Sequence, residues 1–243
     1  MTIGPRQKQE DCILMGADLH QAGKIEKERD MDSDPLLLAV CDGMGGHEDG
    51  DAASRFACEQ LKSMPIDRIT DAEALNDAIG QIQDSAEKEL SPNSGTTIAG
   101  LIARKDKILV FNAGDSRVYK VTPTELVYIS HDHSLVQELV DKSLIHRDIA
   151  GRHPLKNLIE FGIGPIFSPV WGQECRVHIR EEAVADGLVY LLCTDGVMDA
   201  MSDPEIHARL MPSPVDQGPH LFAALKTKGL NDNASFIIAE MRQ

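Results

Sequence analysis

The 243-residue chain is short of several things, and each shortage closes a route. No apolar run approaches the roughly 20 residues of a membrane-spanning helix, so no membrane segment is expected. The start, Met1-Thr2-Ile3-Gly4-Pro5-Arg6-Gln7-Lys8, has no apolar stretch of the kind an export signal carries. The five cysteines, Cys12, Cys41, Cys58, Cys175 and Cys193, are odd in number and include no C-x-x-C pair. Neither a disulfide framework nor a cysteine zinc site follows from that spacing. Several lie in apolar runs and are expected to be buried as small hydrophobes. A reducing, cytoplasmic setting is the expectation. Positive charge is short too. Twenty-four Lys and Arg stand against 39 Asp and Glu, a net charge of −15 with no basic stripe, which argues against a general nucleic-acid binder. Most of that acidity reads as an ordinary solvated surface. No internal repeat or low-complexity linker divides the chain.

What is present supports a sizeable core, since 42% of the residues are hydrophobic. Strands are expected near Asp11–Ala17 and Leu36–Cys41, separated by a charged turn from Gly23 to Asp34. A helix over Ala52–Ser63 follows, then one that starts at a capping box of Thr70 and Glu73. Its residues Leu75, Ile79, Ile82, Ala86 and Leu90 share one helical face and read as core. Strands are then expected at Thr96–Ala103, Lys107–Ala113, Arg117–Val121 and Leu126–Ile129. Connections this short make antiparallel hairpins. Ser134 and Gln137 cap a short helix through Leu139. Residues 144–167 look like an irregular, flap-like insertion within a single domain of residues 1–243, a plain surface loop being the alternative. Strands return at Gln173–Ile179 and Leu188–Cys193. Short helices begin at Pro204 and over His220–Lys228, and the last strand is Ser235–Met241. Strands and helices come in blocks rather than in βαβ alternation, which means an α+β fold of two antiparallel sheets packed face to face with helices outside.

Four aspartates stand where an apolar strand meets a tight turn. Asp42 follows Leu36-Leu37-Leu38-Ala39-Val40-Cys41. Asp115 follows Ile108-Leu109-Val110-Phe111-Asn112-Ala113-Gly114. Asp195 follows Leu188-Val189-Tyr190-Leu191-Leu192-Cys193-Thr194. Asp232 precedes Ala234-Ser235-Phe236-Ile237-Ile238-Ala239. Gathered at one rim of a sheet, such carboxylates repel one another unless a cation neutralises them. A carboxylate-only set suits Mg²⁺ or Mn²⁺ rather than Zn²⁺. That points to a metal-dependent hydrolase. Phosphate monoesters are a demanding substrate class, and paired metal ions meet the demand by activating water and neutralising charge. A phosphate also wants an arginine, whose planar fork pairs two oxygens. Arg6 is the candidate, although an arginine near a terminus is usually only a surface charge.

With these pieces in view the chain resembles the metal-dependent protein phosphatases of the type 2C serine/threonine family, in their compact bacterial form. The matching pieces run in family order: Arg6 through Glu10-Asp11; Asp42-Gly43-Met44-Gly45-Gly46-His47; Ser94-Gly95-Thr96-Thr97; Gly114-Asp115-Ser116-Arg117; Asp132-His133-Ser134; His153-Pro154; Thr194-Asp195-Gly196; and Asp232-Asn233. The resemblance implies an αββα four-layer sandwich and hydrolysis of phosphoserine and phosphothreonine in proteins by a metal-activated water, opposing a serine/threonine kinase. It implies two Mn²⁺ or Mg²⁺ ions per site and a third, looser one. Asp42 would bridge the two metals, with the backbone carbonyl of Gly43 completing one shell. Asp195 and Asp232 would hold the other metal, and Asp115 with Asp195 the third. Glu10 and Asp11 would act through waters, and Arg6 would bind the phosphate. Phosphorylated proteins and their kinase are the expected partners, and a monomer the expected state.

The chain departs from the family pattern in places. Gln9 stands where Asn is usual before the Glu-Asp pair. Met44 replaces the histidine of eukaryotic members, which leaves His47 as the candidate general acid or else as a loop-packing residue. Leu158-Ile159-Glu160-Phe161-Gly162 replaces the usual Thr-Arg-Ala-Leu-Gly, which bears on flap geometry and substrate choice. Asp132 and His133 read as loop ties, Ser94-Gly95-Thr96-Thr97 as a tight strand entry, and the His131/His133 pair lacks further zinc ligands. Ser116 has no adjacent His–acid pair, so a serine nucleophile is not expected. Two other readings remain open: a catalytically silent phosphoprotein-binding module on the same fold, and a phosphatase acting on the regulatory partner of a signalling switch.

Overall fold

Alternation along the strands sets the layers. In the strand Leu36–Met44, Leu37, Ala39 and Cys41 pack to one side, and Leu38 and Val40 to the other. A computed structural model gives the fold and describes residues 1–45, 49–172, 177–211 and 217–242, the side chain of Asp148 excepted. Its strands are β1 (Asp11–Met15), β2 (Asp18–His20), β3 (Leu36–Met44), β4 (Gly95–Thr96), β5 (Ile98–Ala103), β6 (Lys107–Ala113), β7 (Arg117–Val121), β8 (Leu126–Tyr128), β9 (His178–Ala183), β10 (Val189–Cys193) and β11 (Phe236–Glu240). Its helices are α1 (Gly50–Ser63), α2 (Ala72–Glu89), α3 (Leu135–Asp141), α4 (Arg147–Ala150), α5 (Asp195–Ala200), α6 (Asp203–Leu210) and α7 (Gln217–Lys228).

One sheet runs β2-β1-β3-β5-β6-β9, with β4 paired to the end of β3, and the other runs β11-β10-β7-β8. All pairings are antiparallel. The larger sheet turns Cys12, Leu14, Leu109 and Phe111 toward α1 and α2, where Cys58, Leu61, Leu75 and Ile79 meet them. Its other face, with Ile13, Leu38, Val40 and Val110, packs on Val118, Tyr190, Leu192 and Ile237 of the smaller sheet. The smaller sheet's outer face, with Tyr119, Leu191 and Cys193, is covered by Ile206, Leu210, Leu221 and Leu225. The order is therefore α-β-β-α, as expected. Cys12, Cys41, Cys58 and Cys193 are buried free thiols. Among the described residues no helix is long and apolar enough to cross a membrane.

Several element boundaries differ from expectation. β1 stops at Met15 because Gly16 turns the chain at φ +57°, and the short β2 that follows carried no pattern of its own. The strand expected over Thr96–Ala103 is broken at Thr97, whose N–H bonds the Asp42 carbonyl at 2.9 Å. β9 lies later than the expected Gln173–Ile179, of which residues 173–176 fall outside the described residues. It is an edge strand with exposed Arg180 and Glu181, so it shows little apolar signal. The expected Thr70–Glu73 box is replaced by Asp71, whose carboxylate accepts from Ala74 N at 2.9 Å. The box occurs instead at Ser202 and Glu205, which start α6 ahead of Pro204. Asp195 begins a helix rather than a tight turn. Residues 144–167 hold α4 and a 3-10 turn at Pro165–Phe167 within otherwise irregular chain.

Candidate metal centre

The strand alternation that builds the core also aims the carboxylates. Asp11 shares parity with Ile13, and Asp42 with Leu38 and Val40, so both carboxylates stand on the inter-sheet side. They are also directly paired, Asp11 opposite Asp42 in the β1–β3 register. Asp195 joins them from the smaller sheet as the first residue of α5, directly after β10. Asp115 follows β6 through Gly114, whose φ of +102° suits glycine. Asp232 precedes β11. Strand ends of both sheets thus bring carboxylates to one rim.

The rim is braced from below. Asp42 N donates to Thr97 Oγ1 at 3.1 Å, and Thr96 Oγ1 donates to the Asp42 carbonyl at 2.9 Å. Thr97 Oγ1 is 2.6 Å from Ser116 Oγ, next to Asp115. This is the structural work of the Ser94–Thr97 strand entry and of Ser116. Thr194 Oγ1 donates to Asp11 Oδ2 at 3.0 Å and accepts from Ser235 N at 3.0 Å, so it ties β1 to the rim of the smaller sheet. Gln9, the departure from the family pattern, accepts from Asp11 N at 3.1 Å and donates to the Ala22 carbonyl at 3.2 Å. Gly43 has no room for a side chain: a Cβ there would stand 1.9 Å from the Gly50 carbonyl oxygen. Its N–H bonds the Glu10 carbonyl at 3.1 Å. Gly43→Ala is therefore expected to destabilise the fold by about 1–3 kcal/mol through overpacking, seen as a lower midpoint in urea.

The electrostatics are those of a site built for positive charge. Asp11 is 0% exposed, and burial, reinforced by the charge of Asp195, pushes its carboxyl up to about 7. Burial likewise drives Asp42 well above the usual carboxylate range, and the charges of Asp11, Asp195 and Asp115 add to it. Asp115 is raised by burial and then by Asp195 and Asp132. Asp195 is raised by burial, with Asp199 and Asp232 adding. Asp11 Oδ1, Asp115 Oδ1 and Asp195 Oδ1 are buried without any hydrogen-bond partner. Buried polar atoms are nearly always satisfied, so three orphaned carboxylate oxygens at one rim call for a cation. All are hard oxygen donors, which fits Mg²⁺ or Mn²⁺. Among the described residues no three His, Cys, Asp or Glu side chains already close to ion-binding geometry.

Asn233 belongs to the matched Asp232-Asn233 piece, but its own role is not legible from sequence. Its Oδ1 accepts from Glu10 N at 2.7 Å, and its Nδ2 donates to the carbonyls of Ile3 at 2.8 Å and Lys8 at 3.1 Å. One side chain thus fastens the whole N-terminal strap that carries Arg6 and Glu10. The strap is further clipped by the Thr2–Ala234 bridge. Arg6 Nη2 reaches Asp232 Oδ2 at 2.5 Å, a half-exposed ion pair whose hydrogen bond raises the Arg6 pKa. Glu10 is raised by burial, with Asp232 and Asp51 adding and Arg6 opposing. Asn233→Ala leaves a backbone N–H and two carbonyls without their partner, an expected loss of about 2–4 kcal/mol. Chemical denaturation measures it, and hydrogen exchange is expected to quicken over residues 3–10 first.

The remaining candidates separate clearly. Asp132 is a structural tie. It grips Arg117 through Nε at 3.0 Å and Nη2 at 2.6 Å, and accepts from Tyr128 Oη at 2.6 Å. His133 N bonds the Gly114 carbonyl at 2.9 Å, holding the turn before Asp115. His131 pairs with Asp141 at 2.9 Å and its N–H donates to Asn112 Oδ1, and among the described residues no group of three metal-ligating side chains forms around it. His47 lies outside the described residues. In the altered Leu158–Gly162 stretch, Phe161 is fully buried, 5.0 Å from the His133 ring and 4.8 Å from Trp171. Trp171 Nε1 bonds the Gly162 carbonyl at 2.8 Å. The foot of the flap-like segment is therefore an apolar anchor.

A family profile described as Protein phosphatase 2C matches residues 28–218, more than half of the chain. The chain belongs to the protein phosphatase 2C family. Within it, the chain is similar to the serine/threonine protein phosphatase PstP of Mycobacterium tuberculosis, 31% identical over 213 residues. That match covers 84% of this chain and 40% of PstP, so the chain spans well under half of that relative's length. The serine/threonine phosphatase stp of Listeria monocytogenes is 32% identical over 187 residues, 72% of this chain and 71% of the relative. Among solved protein phosphatase 2C structures, the catalytic domain of PstP in complex with two manganese ions superposes with a TM-score of 0.74. It is 25% identical, with 99% of this chain and 95% of that one covered. The two-sheet, helix-flanked architecture is that of these neighbours.

Proposed function

We propose that this chain is a divalent-metal-dependent protein serine/threonine phosphatase, a single catalytic domain acting in the cytoplasm on phosphoproteins and opposing a serine/threonine kinase. The observation that carries the reading is the set of three orphaned, buried carboxylate oxygens at one rim, on Asp11, Asp115 and Asp195. A phosphoprotein-binding module that had lost catalysis would be expected to lack one of the ligand carboxylates, and all four aspartates of the sequence pattern are here. Membership of the family and the manganese-bound relative support the metal dependence.

The residues divide the work as follows. Asp42 would bridge a pair of Mn²⁺ or Mg²⁺ ions, with the Gly43 carbonyl on one of them and Asp195 and Asp232 on the other. Asp115 with Asp195 would hold a third. When bound, the ions supply charge neutralisation, orientation of the phosphoryl group and activation of water. Glu10 and Asp11 would orient water molecules at the rim by accepting hydrogen bonds from them. Thr194 fixes Asp11 by the hydrogen bond described above. Arg6 would turn its guanidinium from Asp232 to the substrate phosphate, an exchange of one exposed ion pair for a charge-assisted bidentate one. Arg6→Ala is accordingly expected to raise KM for a phosphopeptide about 10-fold or more, with a smaller change in kcat, since a charge-assisted hydrogen bond contributes about 1.5–3 kcal/mol.

The reading is tested by phosphate release from a phosphothreonine peptide. Activity is expected with Mn²⁺ and none with EDTA. Undiminished activity in EDTA, or none at any Mn²⁺ concentration that saturates binding, would overturn it.

A further inference from the structure

Five of the six exposed large apolar side chains among the described residues fall between 144 and 166: Leu144, Ile149, Leu155, Leu158 and Ile166. Leu144 is 66% exposed, Leu155 48% and Leu158 49%. Scattered surface leucines need no explanation, but this concentration in one segment does. The same stretch reverses the charge of the molecule. Residues 144–158 contain Arg147, Arg152 and Lys156 against Asp148 alone, with Glu160 following, in a chain of net charge −15.

The return limb of the segment is tied to the rim of the metal centre. It pairs Ile159 with Ser134 and Ile163 with Thr96, the residue that clamps Asp42. Lys156 pairs with Asp199, one turn beyond Asp195 on α5, and its charge is felt at Asp195. Arg147 stacks over Tyr128, 5.1 Å from the ring centre, so α4 is held against β8. In sequence Leu155 and Leu158 flank Lys156, and Arg152 just before them is exposed. An apolar and basic surface therefore begins at the edge of the carboxylate rim.

Resting on the phosphatase reading, we propose that residues 144–158 form the docking surface for a substrate segment carrying acidic and aliphatic residues beside the phosphorylated residue. Arg152 meets the acidic side chains, and Leu155 and Leu158 take the aliphatic ones. Charge complementarity selects this occupant. An acidic peptide is repelled by most of the surface, but screening over roughly 8 Å at physiological salt leaves the local basic patch in control. A surface pair such as Lys156–Asp199 exchanges partners at little cost, so Lys156 can join the contact.

The test uses two phosphothreonine peptides that differ only in their flanks, one with Asp, Glu and Leu, the other with Gly and Arg. Wild type, Arg152→Glu and the double variant Leu155→Ala/Leu158→Ala are compared, with para-nitrophenyl phosphate as a small reference ester. Wild type is expected to favour the acidic-aliphatic peptide about 10-fold through KM, on the scale of partly burying one leucine. Both variants are expected to lose that preference while turning over the small ester unchanged. Equal KM for the two peptides, or a preference that survives both variants, overturns the proposal. So does a dimer that dissociates in the leucine variant, which would give the patch to a second copy. Binding of the same peptides, fluorescently labelled, is read by anisotropy in parallel. A chain that hydrolyses nothing, the failure of the phosphatase reading, still reports there whether the flap discriminates between flanks.

Discussion

Asp195→Asn is expected to abolish metal-dependent phosphate release and, at the same time, to raise the melting temperature of the metal-free protein. Both effects come from one carboxylate. Asp195 is buried, its Oδ1 is unpartnered, and it lies within range of the charges of Asp42, Asp115 and Asp11. Without a cation its charge repels its neighbours, so an isosteric amide relieves the repulsion. With a cation that charge is the ligand, and the amide binds more weakly. The expected activity loss is about 10³-fold, equivalent to roughly 4 kcal/mol of the several that metal catalysis supplies. The expected gain in midpoint is roughly 2–4 °C per kcal/mol of relief for a chain of this size. Parallel assays of phosphate release and thermal unfolding in EDTA check it. A variant that loses activity and stability together would mark Asp195 as a structural residue.

The metal-free protein is also expected to be more stable near pH 5 than near pH 8, against the usual behaviour of buried, paired carboxylates. The Asp11 carboxyl is raised from 3.8 to about 7, with burial the leading cause. Between those values the folded state holds a proton that the unfolded state has released. Stability therefore falls as pH rises through that window and is fully expressed only below it. Asp42, Asp115 and Asp195 are raised by burial in the same direction and steepen the fall. Mn²⁺ is expected to reverse the trend, because it binds the ionised folded rim and stabilises it by mass action. Melting curves from pH 5 to pH 8, with EDTA and with Mn²⁺, measure the slope. A midpoint in EDTA that rises with pH would contradict this account of the rim.

The layers were legible because burial on both faces of a strand leaves near-continuous apolar runs such as Leu36–Cys41 and Ile108–Ala113. The strand-end positions of Asp42, Asp115 and Asp195 pointed to one rim, whereas the inter-sheet side taken by Asp11 and Asp42 is read from the packing of their neighbours. Asp71 displaced Thr70 as a cap because a carboxylate one residue along is the better acceptor, a choice local pattern does not resolve. β9 was misplaced because an edge strand with charged outward residues has half the signal. Asn233 and Thr194 stand in matched motif pieces, but their roles were hidden for a different reason. Asn233 holds Glu10 from 223 residues away, and Thr194 holds Asp11 from 183 residues away. Such cross-sheet hydrogen bonds leave no periodicity to read. The packing role of Phe161 was equally hidden, since a lone aromatic in an irregular segment gives no sign of the His133 and Trp171 rings it meets.

The central claim is that Asp42 and Asp195, from different sheets, share one divalent-cation centre. The direct measurement is anomalous diffraction from crystals grown with Mn²⁺. The account predicts manganese peaks at the rim, with Asp42 touching two of them and Asp195 at least one. Manganese bound only elsewhere, or a rim that stays empty at millimolar Mn²⁺ with the carboxylates ionised, would contradict it.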